Sequence, residues 1–213
     1  MTQLQLAVDL VDTNTFLGMI HALKPYIDIF EMGTPFILQH GVTIVEKIHE
    51  MHPDITLLAD VKICDGGVVE TKMFCDCGAK YITVMARTND ATIANCIRTA
   101  HECGAEVVVD LMCVEDLKRR VLELEALGAD VLAAHIAHDQ YTQYEITPIK
   151  SIAELSGLVK TARTSVAGGI RLDTVKDYLQ YDPAIIIVGG GILNAENPVD
   201  MARRFSEILH GEK

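Results

Sequence analysis

Residues 78–110 read GAKYITVMARTNDATIANCIRTAHECGAEVVVD, and they hold one strand, one helix and the start of the next strand. Tyr81 to Met85 is β-branched and apolar, as a buried strand requires. Beyond it Asp90 is a candidate N-cap, and Ile93, Cys96, Ile97 and Ala100 share one helical face at i, i+3, i+4 and i+7. Gly104 ends that helix, and Glu106 to Asp110 begins another strand. The spacing makes Cys96 a core residue. The same punctuation recurs in Gly-Ala-Lys at Gly78, Gly-Ala-Glu at Gly104 and Gly-Ala-Asp at Gly128, each just before a strand. One unit is being used repeatedly.

Outward from this segment, eight short Val, Ile and Leu-rich runs alternate with helix-period stretches. They are Leu4 to Asp9, Ile27 to Met32, Thr56 to Lys62, Tyr81 to Met85, Glu106 to Asp110, Val131 to His135, Thr164 to Ala167 and Ile185 to Val188. Eight β-α units in 213 residues predict an α/β fold, a single compact (β/α)₈ TIM barrel in which residues 1–213 form one domain. A doubly wound sheet would carry a glycine fingerprint after its first strand, whereas Val8-Asp9-Leu10 has none. No Walker-type phosphate loop occurs either.

The formal net charge is −12, which disfavours a nucleic-acid groove or an anionic membrane surface as partner. It leaves a phosphorylated small molecule possible, because backbone N–H groups bind phosphate locally. The N-terminal segment MTQLQLAVDLVD has no basic stretch followed by an apolar one, and no apolar run reaches the length of a membrane span. The expectation is a soluble, cytoplasmic protein. The six cysteines lie among apolar residues and read as reduced thiols; Cys75-x-Cys77 is too tight for the usual zinc spacings.

Barrel enzymes place their chemistry at the C-terminal ends of strands, and here those ends are ionisable. Strand one ends in Asp9, strand two in Glu31, strand three in Asp60 and Lys62 with Asp65 just beyond, strand five in Asp110 and strand six in His135. One such residue alone would read as a solvated or capping group. Six sites on one rim read as an active site. Strand alternation puts Asp60 and Lys62 on one face with Val61 turned to the helices. A structural ion pair is the plainer explanation, but half-buried charges are costly unless function retains them. An ammonium beside carboxylates suits stabilisation of an enediolate, with the carboxylates able to take a divalent cation. Gly168-Gly169 follows strand seven and Gly189-Gly190-Gly191 follows strand eight. Tight turns would explain one cluster; two at the positions where barrels commonly hold phosphate point to phosphate binding.

The motif Asp60-x-Lys62-x-x-Asp65 resembles the signature of the orotidine 5′-monophosphate decarboxylase superfamily. LQLAVDLVD from Leu4, IDIFEMGTPFI from Ile27, LLADVKICDGG from Leu57, TVMARTNDATI from Thr83, VVVDLMCVED from Val107, SVAGGI from Ser165 and IIIVGGGI from Ile185 are similar to one branch of it, the 3-hexulose-6-phosphate synthases. The resemblance covers nearly the full chain. It implies a magnesium (or manganese) ion held by Glu31 and Asp60, Lys62 against the enediolate oxygens, and Asp65 reaching across a homodimer interface into the partner's site. It further implies Asp9 on the sugar hydroxyls, Asp110 beside Lys62, His135 as the proton-transfer group, and the amides of Gly168, Gly169, Gly189 and Gly190 on the phosphate. The implied reaction is a reversible aldol addition of formaldehyde to ribulose 5-phosphate.

Some positions depart from that branch. Ile136 stands where relatives usually carry Thr, and Gly66 where Ala is usual, so substrate identity is more open than reaction type. The related 3-keto-L-gulonate-6-phosphate decarboxylases typically carry Arg where His138 stands here, and Gly-Arg after strand eight. Orotidylate decarboxylases use a further lysine just before the motif, whereas Leu58 and Ala59 precede Asp60. A catalytically silent sugar-phosphate binder is the alternative of another class, opposed by the intact Glu31, Asp60, Lys62, Asp65 and His135.

Overall fold

Eight parallel strands close into a barrel in the computed structural model, which describes residues 1–144 and 147–211. The strands are β1 (Gln3–Val8), β2 (Ile29–Met32), β3 (Thr56–Ile63), β4 (Tyr81–Met85), β5 (Glu106–Asp110), β6 (Val131–His135), β7 (Arg163–Ala167) and β8 (Ile185–Val188). Each pairs with its sequence neighbours, and β8 closes on β1 through Gln5 opposite Ile187. The helices outside are α1 (Thr13–Leu23), α2 (Thr34–His40), α3 (Thr43–Met51), α4 (Gly67–Asp76), α5 (Asp90–Glu102), α6 (Leu117–Ala126), α7 (His138–Tyr144), α8 (Ile149–Leu158), α9 (Val175–Leu179), α10 (Gly190–Leu193) and α11 (Pro198–His210). The expected TIM barrel is the fold, in a single domain.

The repeated Gly-Ala pairs work as one device. Gly78, Gly104 and Gly128 take φ of 94°, 67° and 86°, a left-handed backbone that costs glycine little. In each, the alanine N–H returns five residues to the helix (Ala79 to Phe74, Ala105 to Ala100, Ala129 to Leu124) and the glycine N–H returns three. These are three Schellman caps, and each turns the chain from helix to strand. The helix start in the same unit differs from expectation. Asn89, not Asp90, is the N-cap of α5, its side chain accepting from Thr92 N at 2.9 Å. Asp90 is the first helical residue and binds Arg120 instead. Likewise β2 begins at Ile29 and not Ile27, because the Ile27 N–H is still bonded to Leu23 O at the end of α1.

Alternation along the strands divides the core in two. Leu4, Leu6, Phe30, Leu57, Val107, Leu132, Val166 and Ile186 face the helices and join the larger core. Ile29, Leu58, Val108, Val131, Ala133 and Ile185 form a second cluster inside the barrel. The inner cluster is the floor on which the strand-end residues stand. At α4, Gly67 lets the helix approach α5 so closely that a Cβ would lie 2.7 Å from Thr92 O. All six cysteines are free thiols, with Cys96 buried in the outer core. Among the described residues no helix is long and apolar enough to cross a membrane.

Candidate active site

Inward-facing positions at the strand ends bring Glu31, Asp60, Lys62, Asp110 and His135 to one mouth of the barrel. Asp60 is 7% exposed and is gripped from three sides. Thr83 Oγ1 donates to its Oδ1 at 2.8 Å, Thr34 Oγ1 lies 2.9 Å from its Oδ2, and Lys62 Nζ donates to that same oxygen at 2.5 Å. Lys62 Nζ also stands 3.6 Å from Asp110 Oδ2, and that oxygen lies 2.8 Å from His135 Nδ1. A continuous chain therefore runs Asp60, Lys62, Asp110, His135.

The backbone under Lys62 is not the regular strand that alternation suggested. Its φ is 49°, in the left-handed region that a lysine seldom adopts, and the β3–β4 register breaks between Ala59 and Ile63. The Lys62 N–H, freed from the ladder, donates to Thr83 Oγ1 at 2.8 Å. Thr83 thus ties the kinked backbone to the Asp60 carboxylate. Such local strain persists only where surrounding bonds hold it, as they do here.

The electrostatics follow from the packing. Burial works against the Lys62 ammonium, but the charges of Asp60 and Asp110 outweigh it and hold its pKa above the usual lysine value. Burial likewise works against the Asp110 carboxylate, which is 3% exposed. The hydrogen bond and charge of His135, then Lys62 and the Met112 N–H at 2.9 Å, prevail and keep it below the usual carboxylate range. Glu31 is the opposite case. Desolvation, reinforced by the negative charge of Asp60, pushes its carboxyl up to about 8, although Gln5 donates to it at 2.6 Å. At the outer lip the Asp9 side chain is exposed to solvent on one side; partial burial against the mouth and the charge of Asp60 raise its pKa. It lies directly over Gly33, where a Cβ would come within 2.1 Å of Asp9 Oδ1.

Opposite this charged half lie the glycine turns. Gly168 and Gly169 have φ of 117° and 64°, and Gly189 caps the short helix α10, whose first N–H groups have no partner within the helix. Side chains are excluded on this side. A Cβ at Gly189 would meet Ala7 O at 3.1 Å, one at Gly191 would meet Ile170 O at 2.7 Å, and one at Gly168 would press on Ile136.

Asp65 does not join the cluster of its own chain. It is exposed, its Oδ1 accepts from the Gly66 N–H at 2.8 Å, and among the described residues it forms no ion pair. Five of the six expected strand-end sites converge, and the sixth stands apart. Size does not locate the chemistry either: a cleft of about 540 Å³ bordered by Gln3, Arg163, Thr164 and Asp182 opens at the opposite end of the barrel, where Arg163 is paired with Glu106.

A family model described as orotidine 5′-phosphate decarboxylase / HUMPS family matches residues 2–205. The chain belongs to this family. As a member of it, the chain is an enzyme of the carbon–carbon lyase class. Among its relatives is a 3-hexulose-6-phosphate synthase of Staphylococcus aureus, 35% identical over 210 residues that span 99% of this chain and all of the relative. The crystal structure of a 3-hexulose-6-phosphate synthase from Salmonella typhimurium superposes with a TM-score of 0.95 at 40% identity, covering 99% of this chain and all of that one. A KGPDC from Streptococcus mutans, solved in complex with a phosphosugar, shares the fold, with a TM-score of 0.88 at 24% identity over 97% and 96% of the two chains.

Three residues of the site escape a search for ionisable groups: Thr34, Thr83 and Gln5. Alternation would have found two of them. Thr83 is separated from Tyr81 by one residue, as Gln5 is from Ala7, so both face the lumen, where an uncharged polar side chain needs a partner.

Proposed function

We propose that this chain catalyses the aldol addition of formaldehyde to ribulose 5-phosphate, giving 3-hexulose 6-phosphate, and its reversal. The observation that carries the reading is the continuous chain Asp60, Lys62, Asp110, His135. Its support comes also from the synthases to which the chain is most fully similar among the relatives named above.

His135 is suited to move the C1 proton. Its Nδ1–H donates to the depressed, ionised Asp110 carboxylate, which leaves the Nε2 lone pair free to act as base. Removal of that proton leaves an enediolate, whose negative charge develops beside the Lys62 ammonium. C1 then forms a bond to the formaldehyde carbon, the carbonyl π electrons pass to oxygen, and the proton held by His135 goes to that oxygen. In the reverse direction the same groups release formaldehyde.

The donor set fits a hard divalent cation. Glu31 and Asp60 are adjacent carboxylates, and the pKa of Glu31 near 8 records a pair with too little compensating positive charge. Among the described residues no three metal-ligating side chains stand together, so the pair would leave room for substrate oxygens or water. A magnesium or manganese ion there would supply Lewis-acid stabilisation of the developing enediolate charge. The amides of Gly168, Gly169, Gly189 and Gly190 would take the phosphate, and Asp9 the sugar hydroxyls.

Asp65 would complete the site of a partner subunit in a homodimer. The helix that follows it supports this reading, because α4 exposes Val68, Val69 and Met73 to solvent, an apolar face for a second copy. The deciding experiment offers the purified protein ribulose 5-phosphate with formaldehyde, and separately 3-keto-L-gulonate 6-phosphate, each with and without magnesium. The expected outcome is a higher kcat/KM for the formaldehyde reaction, lost on chelation. Preferential decarboxylation would reverse the assignment, and full activity after exhaustive chelation would remove the cation.

A further inference from the structure

Beneath the carboxylates the lumen is lined by Ile29, Leu58, Val108, Ala133 and Ile185. An aliphatic residue at position 5 would complete that lining. Gln5 stands there instead, 1% exposed. Its Oε1 is buried with no hydrogen-bond partner among the described residues, while its Nε2 donates to Glu31 Oε2 at 2.6 Å. Burying an amide half-satisfied is unfavourable, so packing gives no reason for glutamine at this position. The bond to Glu31 does.

The strand register explains why a residue of this length is needed. Ala7 lies opposite Glu31 across β1 and β2, and Gln5 lies opposite Ile29. Gln5 and Glu31 are therefore a diagonal pair on the lumen face, which only long side chains bridge. Asparagine would fall short by a methylene. Because an amide nitrogen can only donate, the contact requires a carboxylate oxygen as acceptor and holds the Glu31 head group from below. Glu31 Oε1 accepts no hydrogen bond from a described residue and is left for a ligand.

We propose that Gln5 is a positioning residue of the divalent-cation site: its amide fixes the rotation of the Glu31 carboxylate and thereby sets cation affinity, touching neither cation nor substrate. The inference rests on the reading that Glu31 and Asp60 hold the cation. Outer partners of ligating groups typically govern affinity over about 10–100-fold.

The test uses Mn²⁺ as probe, with free Mn²⁺ measured by electron paramagnetic resonance in the absence of substrate. Wild type is expected to bind Mn²⁺ in competition with Mg²⁺. Gln5→Met, which keeps chain length and removes the amide, is expected to weaken that binding roughly tenfold or more, while the metal-free protein melts no lower than wild type. A merely structural role would instead lower the melting temperature and leave affinity unchanged. Equal Mn²⁺ affinity in the two proteins overturns the inference and leaves the proposed reaction standing. Absence of Mn²⁺ binding by wild type overturns the inference together with the metal part of that reaction. Should Gln5→Met fail to fold, the ¹⁵N side-chain amide resonance of Gln5 in the wild type decides. It is expected to shift as Mg²⁺ saturates, and an unmoved resonance at saturation refutes the positioning role.

Discussion

Thr83→Val isolates the hydroxyl that joins the kinked Lys62 backbone to Asp60. The substitution keeps the β-branched shape on β4 and removes two contacts, Thr83 Oγ1 to Asp60 Oδ1 and Lys62 N to Thr83 Oγ1, both 2.8 Å. A hydrogen bond to a charged group contributes about 1.5–3 kcal/mol, and a stranded buried N–H costs about 1–3 kcal/mol. Lys62 is only half-buried, so water can take over part of the second loss. The expected destabilisation is then about 2–4 kcal/mol, which at the usual unfolding entropy of a domain this size lowers Tm by roughly 4–9 °C. Catalysis should suffer more than stability, because releasing Asp60 by an ångström misplaces Lys62 as well; a loss on the order of 10²-fold in kcat is expected. Scanning calorimetry and formaldehyde-dependent consumption of ribulose 5-phosphate measure the two effects, with Thr83→Ser expected to restore both. A kcat within about twofold of wild type, whatever the Tm, would show that the Thr83 bridge does not position the site.

Three further outcomes follow from the same geometry. Asp110 has a folded-state pKa below its ordinary 3.8, so the stability it adds is complete above that value and is lost as pH falls through the depressed one. Urea midpoints should therefore separate wild type from Asp110→Asn clearly near neutrality and converge in strong acid; a gap independent of pH would contradict the assignment. Gly168→Ala forces a side chain onto a φ of 117° with Ile136 O only 3.2 Å from the new Cβ, and it should raise KM for ribulose 5-phosphate at least about tenfold while leaving KM for formaldehyde unaltered. Lys62→Ala and Asp65→Ala homodimers should each be nearly inactive, yet regain roughly a quarter of wild-type activity when mixed under subunit exchange, since half the dimers then carry one intact site. No recovery despite proven exchange would place both residues in the same subunit's site.

The fold was legible because its instructions are local. Four strands, β4, β5, β6 and β8, begin and end where hydrophobic patterning puts them, and the three Gly-Ala caps are written in six residues. The one-residue displacement of the α5 cap has an equally local cause: Asn89 and Asp90 are both good capping residues, and Arg120 claims the aspartate. The charged rim was legible for the opposite reason, since Asp60, Asp110 and His135 interrupt strands that are otherwise apolar. What stayed hidden depends on neighbours distant in sequence. Thr83 and Gln5 are ordinary strand residues until β3 and β2 bring Asp60 and Glu31 against them, and the kink at Lys62 exists only because Thr83 accepts the N–H it frees.

Charge balance in the mouth then ties the two halves of the site together. Asp9, Glu31, Asp60 and Asp110 gather on the β1 to β5 side against Lys62 and His135, so an anionic ligand group meets repulsion there. The β7 and β8 turns carry glycines in place of side chains, and their backbone offers N–H groups without a nearby carboxylate of the cluster. On the proposed reading a phosphosugar can lie in only one direction across the mouth, with its phosphate on the glycine side and its reactive carbons over Lys62 and His135. The net charge of −12 is then no obstacle to a phosphorylated substrate. The acidic half of the mouth rejects the phosphate, and that rejection delivers the carbonyl end to the lysine.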